Sequence, residues 1–284
     1  MTKKYVVDQS FDTNITTSYF LSIRSSSGGL SFCVLDPVIN TYIAFANIPF
    51  NDNSKDNIKT QEVLLKEELL QLSYKKVFFL YESPRATLVP GALYDNTRHT
   101  DLFSLNHPLG NDPVELVAQK IKMADAWNLF SIPRFMYHLA KTQFDNIEFY
   151  QHYSPFIETC LIASQQKKRD VVMHIGIHST FFDLLVIKDR KMVLCNSYSY
   201  SNTNDFLYFV LFAFEQLKLE ADKTNVLIHG LDDKQSPLFR ELKNYLRQTK
   251  ISDPTTHFKF SNSMRIKDGD KLNFHNLFNL AICV

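Results

Sequence analysis

The sequence predicts an α/β protein made of two copies of one unit, and three observations carry that expectation. Residues 19–24 (YFLSIR), 30–35 (LSFCVL) and 42–48 (YIAFANI) read as three consecutive strands, and 171–175 (VVMHI), 181–187 (FFDLLVI) and 192–197 (MVLCNS) read the same way. In each half a helical stretch follows, then an apolar strand: 77–81 (VFFLY) and 226–229 (VLIH). The spacing is nearly constant, since Val77 and Val226 lie 149 positions apart and Tyr42 and Val193 lie 151 apart. A period this long marks a duplicated domain, because solenoid repeats run at ~20–50 residues. Strands alternating with helical patterns indicate α/β layering.

The elements follow in order. Residues 24–29 (RSSSGG) join two alternating strands, and the double glycine supplies the positive φ of a tight hairpin. Asp36 and Pro37 break the next connection. Residues 51–56 (NDNSKD) form a polar loop ending in helix-capping types. Leu64, Leu65, Leu69 and Leu72 then alternate with Glu67 and Glu68, an apolar face beside a charged one. Residues 83–122, with Pro84, Pro90, Pro108, Pro113, Gly91 and Gly110, read as an irregular insertion with short strands of its own. The repeat has a second register here: 127–133 (WNLFSIP) and the helix at 134–141 also resemble 226–237 and its helix, and both registers stay open.

Further on, 147–151 reads as a strand, 156–165 as a helix and 166–170 (QKKRD) as an exposed linker, which divides the chain into halves 1–168 and 169–284. In the second half 203–218 is a long helix capped by Asn202 or Thr203. Its Phe206, Phe209 and Leu217 sit at helical spacing, so packing explains the aromatic run better than base stacking. Phe209, Leu211 and Phe212 crowd that helix and suggest burial on more than one side. Residues 237–248 form a helix with Pro237 in its first turn, 257–260 a strand, and 274–284 an apolar close.

The bulk properties exclude several classes. With 31 basic and 30 acidic residues there is no electrostatic footprint for nucleic acid or an acidic membrane surface. Cys33, Cys160, Cys195 and Cys283 form no Cys-x-x-Cys pair and read mostly as small core hydrophobes, as expected of a reducing compartment. No apolar stretch follows the early lysines, so no signal peptide is expected there. The longest apolar run, 206–214, falls far short of the ~20 residues of a spanning helix. The expected setting is the cytoplasm, with no membrane insertion.

A three-stranded meander, a helix and a strand, repeated, is the order of the ribonuclease H-like unit. Its duplication resembles the sugar kinase, heat-shock-protein-seventy and actin superfamily: an actin-like ATPase fold, two halves facing a cleft, with extra structure inserted in the first. Residues 173–180 (MHIGIHST) resemble the second phosphate loop, usually Asp-x-Gly-x-x-x-Thr, and 226–230 (VLIHG) resemble the adenosine motif, an apolar strand ending in Gly-Gly. Within the superfamily the chain is most similar to bacterial pilus-assembly and cell-division actin homologues, and more narrowly to an uncharacterised bacterial family of this fold.

The resemblance implies ATP between the halves, backbone N–H groups at glycine-rich hairpins meeting its phosphates, and a carboxylate on each first strand helping to hold magnesium. Carried onto this chain, those roles fall to Gly176, Ser179 and Thr180 in the second hairpin, Gly230 at the adenosine position, and Asp12 as a stand-in carboxylate. Three departures stand against a working site: His174 replaces the aspartate, Leu231 replaces the second glycine, and residues 12–16 (DTNIT) lack a glycine. A neutral imidazole is a poor magnesium ligand and an imidazolium repels the ion. The expectation is therefore a vestigial nucleotide cleft, a pseudo-ATPase with no catalytic residue, metal or cofactor, acting as an interaction or scaffold protein toward an unknown protein partner. The alternative is a divergent ATP-binding actin-like protein that uses ATP with magnesium for slow hydrolysis or polymerisation.

Other constellations carry less. Asp183 reads either as a displaced acidic residue of the phosphate motif or, more plainly, as an outward-facing strand residue. His174 and His178 share one strand face, but no Cys or third ligand sits at matching spacing, so a structural or solvent-facing pair is the better account. Residues 83–85 (SPR) and the scattered Ser, His and Asp residues build no Gly-x-Ser-x-Gly elbow, and the first strands lack the clustered carboxylates of a nuclease.

Overall fold

The computed structural model describes residues 3–50, 56–165, 171–231, 233–252, 257–264 and 266–283. The loop expected at 51–55 and the linker expected at 166–170 lie outside them. Two compact units emerge: Met1–Pro155 with Thr256–Ile266 and Asn276–Val284, and Phe156–Thr255 with Lys267–His275.

The first unit runs β1 (Lys4–Val7), β2 (Phe20–Ser26), β3 (Gly29–Asp36), β4 (Thr41–Pro49), α1 (Asp56–Lys66) and β5 (Lys76–Tyr81). An inserted stretch holds β6 (Ala86–Pro90), α2 (His99–Ser104), β7 (Val114–Ile121) and β8 (Ala126–Pro133), before α3 (Arg134–Gln143) and β9 (Ile147–Gln151). The main sheet has the order β1-β4-β3-β2-β5-β9. Helix α4 (Tyr153–Gln165) leads into the second unit, which runs β10 (Val172–Ile177), β11 (Phe181–Lys188), β12 (Lys191–Ser199), α5 (Thr203–Gln216), β13 (Asn225–His229), α6 (Pro237–Tyr245) and β14 (Thr249–Ile251). Its sheet has the order β12-β11-β10-β13-β14.

Leaving aside the extra strands on β4, namely β1 and the short strand Lys259–Phe260, the two sheets have the same wiring. Each opens with an antiparallel meander, then adds two strands parallel to the first: β5 and β9 beside β2, β13 and β14 beside β10. This is the duplicated ribonuclease H-like fold that the strand order predicts. Both proposed registers prove right for different elements. β5 pairs with β2 as β13 pairs with β10, so the strand equivalence is 77 with 226. Residues 127–133 are not that strand, since β8 belongs to the separate sheet β6-β8-β7, but the following helix α3 leads into β9 as α6 leads into β14. The inserted sheet runs on to Pro133, past residue 122, because β8 pairs with both β6 and β7. Gln151 ties the insertion to the main sheet, donating to the Ser83 carbonyl at 2.8 Å and accepting from Asn128 Nδ2 at 2.9 Å.

Compactness divides the chain otherwise than a single cut at 168/169. Strand β15 (Lys259–Phe260) pairs parallel with β4, and Tyr42 of β4 meets Phe258, Phe260 and Phe278 at ring separations of 5.6, 5.5 and 5.3 Å. These contacts draw 256–266 and 276–284 into the first unit. Helix α7 (Asp268–Asn273) stays with the second, and α8 (His275–Phe278) begins there and ends in the first.

In the second unit one sheet face is apolar. Met173, Ile175, Phe182, Leu184, Val226 and Ile228 project from it onto Phe206 and Val210 of α5 and Phe239 and Leu242 of α6. Each such side chain contributes about 1.5–3 kcal/mol by leaving water. Asn202 caps α5, accepting from the backbone N–H groups of Asn204 and Asp205 at 2.9 and 3.1 Å. The buried residues of α5 are Phe206, Leu207, Val210, Ala213 and Phe214, one broad stripe, while Tyr208 and Phe212 face solvent. Of the crowded residues that suggested wider burial, Phe209 and Leu211 also pack against this core and broaden the stripe, while Phe212 turns to solvent. In the first hairpin Gly29 opens β3, not the turn. Its φ of +146° is the positive φ expected of this hairpin, and a Cβ there would also collide with the Ile48 carbonyl of β4, so both backbone conformation and close strand approach require glycine.

Candidate functional site

The other face of the second sheet carries the polar residues. Cross-strand pairing lines up Ser197, Asp183, Gly176 and His229 in one row across β12, β11, β10 and β13. The next row holds Cys195, Leu185, His174 and Leu227. Phe156 of α4 reaches this face over Gly176, where a Cβ would lie 3.5 Å from its Cζ and 3.4 Å from Asp183 Oδ2. Cys160, one turn along α4 from Phe156, has its thiol within 4.8 Å of the nearest ligating nitrogens of His174 and His229.

Asp183 is fully buried, and both its oxygens are engaged. Oδ2 lies 2.8 Å from His178 Nε2, and Oδ1 accepts from Ser197 Oγ at 2.5 Å. His178 is held further by stacking on Phe181, at 4.3 Å between ring centres, and by the Tyr200 hydroxyl, which donates to its carbonyl at 2.9 Å. The His178 N–H donates to the Phe181 carbonyl at 3.0 Å, closing the loop between β10 and β11. Burial, and then the Asp183 charge, push the Cys195 thiol well above its ordinary pKa, so it is a neutral packing group.

His174 Nδ1 and His229 Nε2 stand 3.0 Å apart. The His229 ring is enclosed by Phe156, His174 and His275, with centres 5.3, 5.3 and 5.6 Å away. Burial first, then the two neighbouring imidazoles, hold its pKa well below the ordinary histidine value. It is therefore neutral at physiological pH, and one ring of the 174–229 pair donates to the other.

The residues expected at a nucleotide site divide between the units. Gly176, Ser179, Thr180 and Gly230 come together at the carboxyl edge of the parallel strands β10 and β13, Ser179 and Thr180 exposed in the hairpin loop. Gly230 has φ +76°, and a Cβ would stand 2.6 Å from the Ile177 carbonyl, so backbone packing alone requires glycine there. Leu231 packs against the apolar core of this unit. Asp12 belongs to the first unit, where it caps the 3-10 turn Thr13–Ser18 and accepts from the Asn14 N–H at 2.8 Å. At the corresponding edge of the first sheet, Arg24 at the end of β2 meets Glu82 after β5 at 2.7 Å, with both side chains largely buried.

One expectation is overturned: Asp183 does not face outward, since its row is covered by α4 and its carboxylate is the hub of a buried network. Of the two readings of His174 and His178, structural or solvent-facing, the structural one fits, since both are buried and each turns to a different partner. Sequence reasoning missed the roles of His229, Cys160, Ser197 and Glu82. The signal for His229 was present, because parallel pairing of 226–229 with the strand of His174 brings the two histidines to one face.

Fold and site geometry together define a member of the actin-like ATPase fold. A Bacteroides thetaiotaomicron protein with actin-like ATPase fold and unknown function superposes with TM-score 0.78 at 22% identity, covering 93% of this chain and 98% of that one. The PilM–PilN type IV pilus biogenesis complex superposes with TM-score 0.55 at 10% identity, covering 93% and 96%. The chain belongs to the family described as protein of unknown function (DUF3822), which matches residues 8–249. No curated protein matches it.

Proposed function

We propose that this is a non-catalytic interaction or scaffold protein, a pseudo-ATPase that keeps the actin-like fold with a decayed nucleotide site and works in the bacterial cytoplasm. The observation that carries the reading is the fate of the carboxylates at the phosphate-loop edge. The magnesium position of the motif is His174, hydrogen-bonded to His229. The nearby carboxylate, Asp183, spends both oxygens on His178 and Ser197 beneath α4. Leu231 supports the same reading, since an apolar side chain anchored in the core replaces the glycine that close backbone approach to adenosine needs.

The expected partner is a protein, in keeping with balanced charge and with the PilM–PilN complex, in which a protein of this fold is part of a biogenesis complex. Among the described residues no helix is long and apolar enough to cross a membrane. A second reading, ATP binding with slow hydrolysis or polymerisation, draws on the gathering of Gly176, Ser179, Thr180 and Gly230 at one strand edge.

Thermal shift and titration calorimetry with ATP–magnesium separate the two, on the native protein and on His174→Asp. A ligand at a hundredfold excess over Kd stabilises by about 2.7 kcal/mol. The expected result is no shift and no heat for either protein, because one carboxylate does not restore several N–H donors. A shift in the native protein overturns the proposal, and a shift in the variant alone shows a site lacking only its metal ligand.

A further inference from the structure

We propose that Cys160, His174 and His229 form a zinc site with three protein ligands and an open fourth position. Three elements deliver them: Cys160 from the middle of α4, His174 from β10 and His229 from the end of β13. The Cys Sγ and one ring nitrogen of each histidine lie within 4.8 Å of one another. Tetrahedral zinc, with Zn–N near 2.0–2.1 Å and Zn–S near 2.3 Å, places two nitrogens about 3.3 Å apart and sulfur about 3.6 Å from each. The observed N···N separation of 3.0 Å is a few tenths short of that edge. Small rotations of side chains already on one sheet face complete the geometry.

The donor set selects the ion. One thiolate and two imidazoles suit zinc and other borderline ions, whereas magnesium and calcium take oxygen. Binding requires the donor ring of the 174–229 pair to carry its proton on its other nitrogen, and it releases the thiol proton, so the ligands enter as thiolate and two neutral imidazoles. Phe156 packs edge-on to the His229 ring and gives the site an apolar wall, which limits solvent access to a bound ion. Cys160 and His174 are buried and His229 is half-buried as a residue, its ring enclosed by its neighbours. The site needs no nucleotide.

The test uses the full chain, stripped with a chelator and titrated with zinc, and in parallel with cobalt(II) as a coloured substitute. The expected result is one ion per chain, a rise in melting temperature with zinc, and a cobalt spectrum combining tetrahedral d–d bands with thiolate charge transfer. Cys160→Ser should abolish the charge-transfer band, and His229→Gln should weaken zinc by more than the 10–100-fold typical of outer-shell changes. Cys195→Ser should leave the spectrum intact. Failure of Cys160→Ser or His229→Gln to fold does not matter to the first measurement. Cobalt binding by the native protein without a thiolate band, or with the weak colour of octahedral coordination, overturns the proposal, as does a band that survives Cys160→Ser.

Discussion

Asp183 and His178 form a buried pair at 2.8 Å across the turn between two adjacent strands, with side-chain exposures of 1% and 4%. A strand residue that looks outward in the sequence is thus the centre of a closed network, with Ser197 on its other oxygen. Asp183→Ala should therefore destabilise the second unit by about 3–5 kcal/mol, the cost of breaking a buried pair. Denaturant unfolding reads this directly. A change within about 0.5 kcal/mol, the norm for an exposed position, would return Asp183 to the surface.

The two glycines of the motif should behave oppositely. Gly230 combines φ +76° with a Cβ position 2.6 Å from a carbonyl, so Gly230→Ala should cost at least about 1–3 kcal/mol. Gly176 has an extended backbone and its nearest neighbour would stand at 3.4 Å, an ordinary contact. Gly176→Ala should change stability by less than about 1 kcal/mol. Melting temperatures of both variants, without ligand, decide the matter, and equal losses would contradict it.

The ion pair between Arg24 and Glu82 has side-chain exposures of 13% and 5%. Glu82→Gln removes the carboxylate that meets both Nε and Nη2 of Arg24, at 2.7 Å each. The expected loss lies toward the lower end of about 3–5 kcal/mol, because the pair keeps some access to water. Raised salt should rescue little of it, since buried charges are weakly screened. Full recovery in high salt would show a surface pair instead.

Tyr42 donates its hydroxyl to the Phe278 carbonyl at 2.5 Å while its ring packs among three phenylalanines. Tyr42→Phe keeps the ring and should cost about 0.5–1.5 kcal/mol, the net worth of a hydrogen bond. Tyr42→Ala should cost about 3–5 kcal/mol by opening a cavity. Equilibrium unfolding of the pair separates bond from packing, and similar losses would place the weight on the hydroxyl.

Much of the fold was legible because periodicity reports burial. The six meander strands, the strands at 77 and 226, and the helices on Phe206 and Phe239 all follow from apolar residues at regular spacing. What was not legible came from long-range pairing. The inserted sheet was visible as irregular composition, but its extent depends on β8 serving two neighbours. The tie between Tyr42 and Phe278 joins positions 236 apart, with no local signal. At the site, the sequence showed what His174 replaces and not what it meets, because Cys160 and His229 arrive from other elements. Asp183 was misjudged because alternation assumes that one sheet face looks to solvent, and here α4 covers it.

The first unit is encoded in three pieces, and the last carries Phe278 to Tyr42. On the ribosome β4 emerges long before its partner, with residues 156–255 made in between. At ~5–20 residues per second the 236 positions from Tyr42 to Phe278 take on the order of 10–50 s to make. Throughout that time the Tyr42 side of β4 is an uncovered aromatic edge, so the nascent chain, rather than the finished protein, is the form that holdase chaperones should recognise.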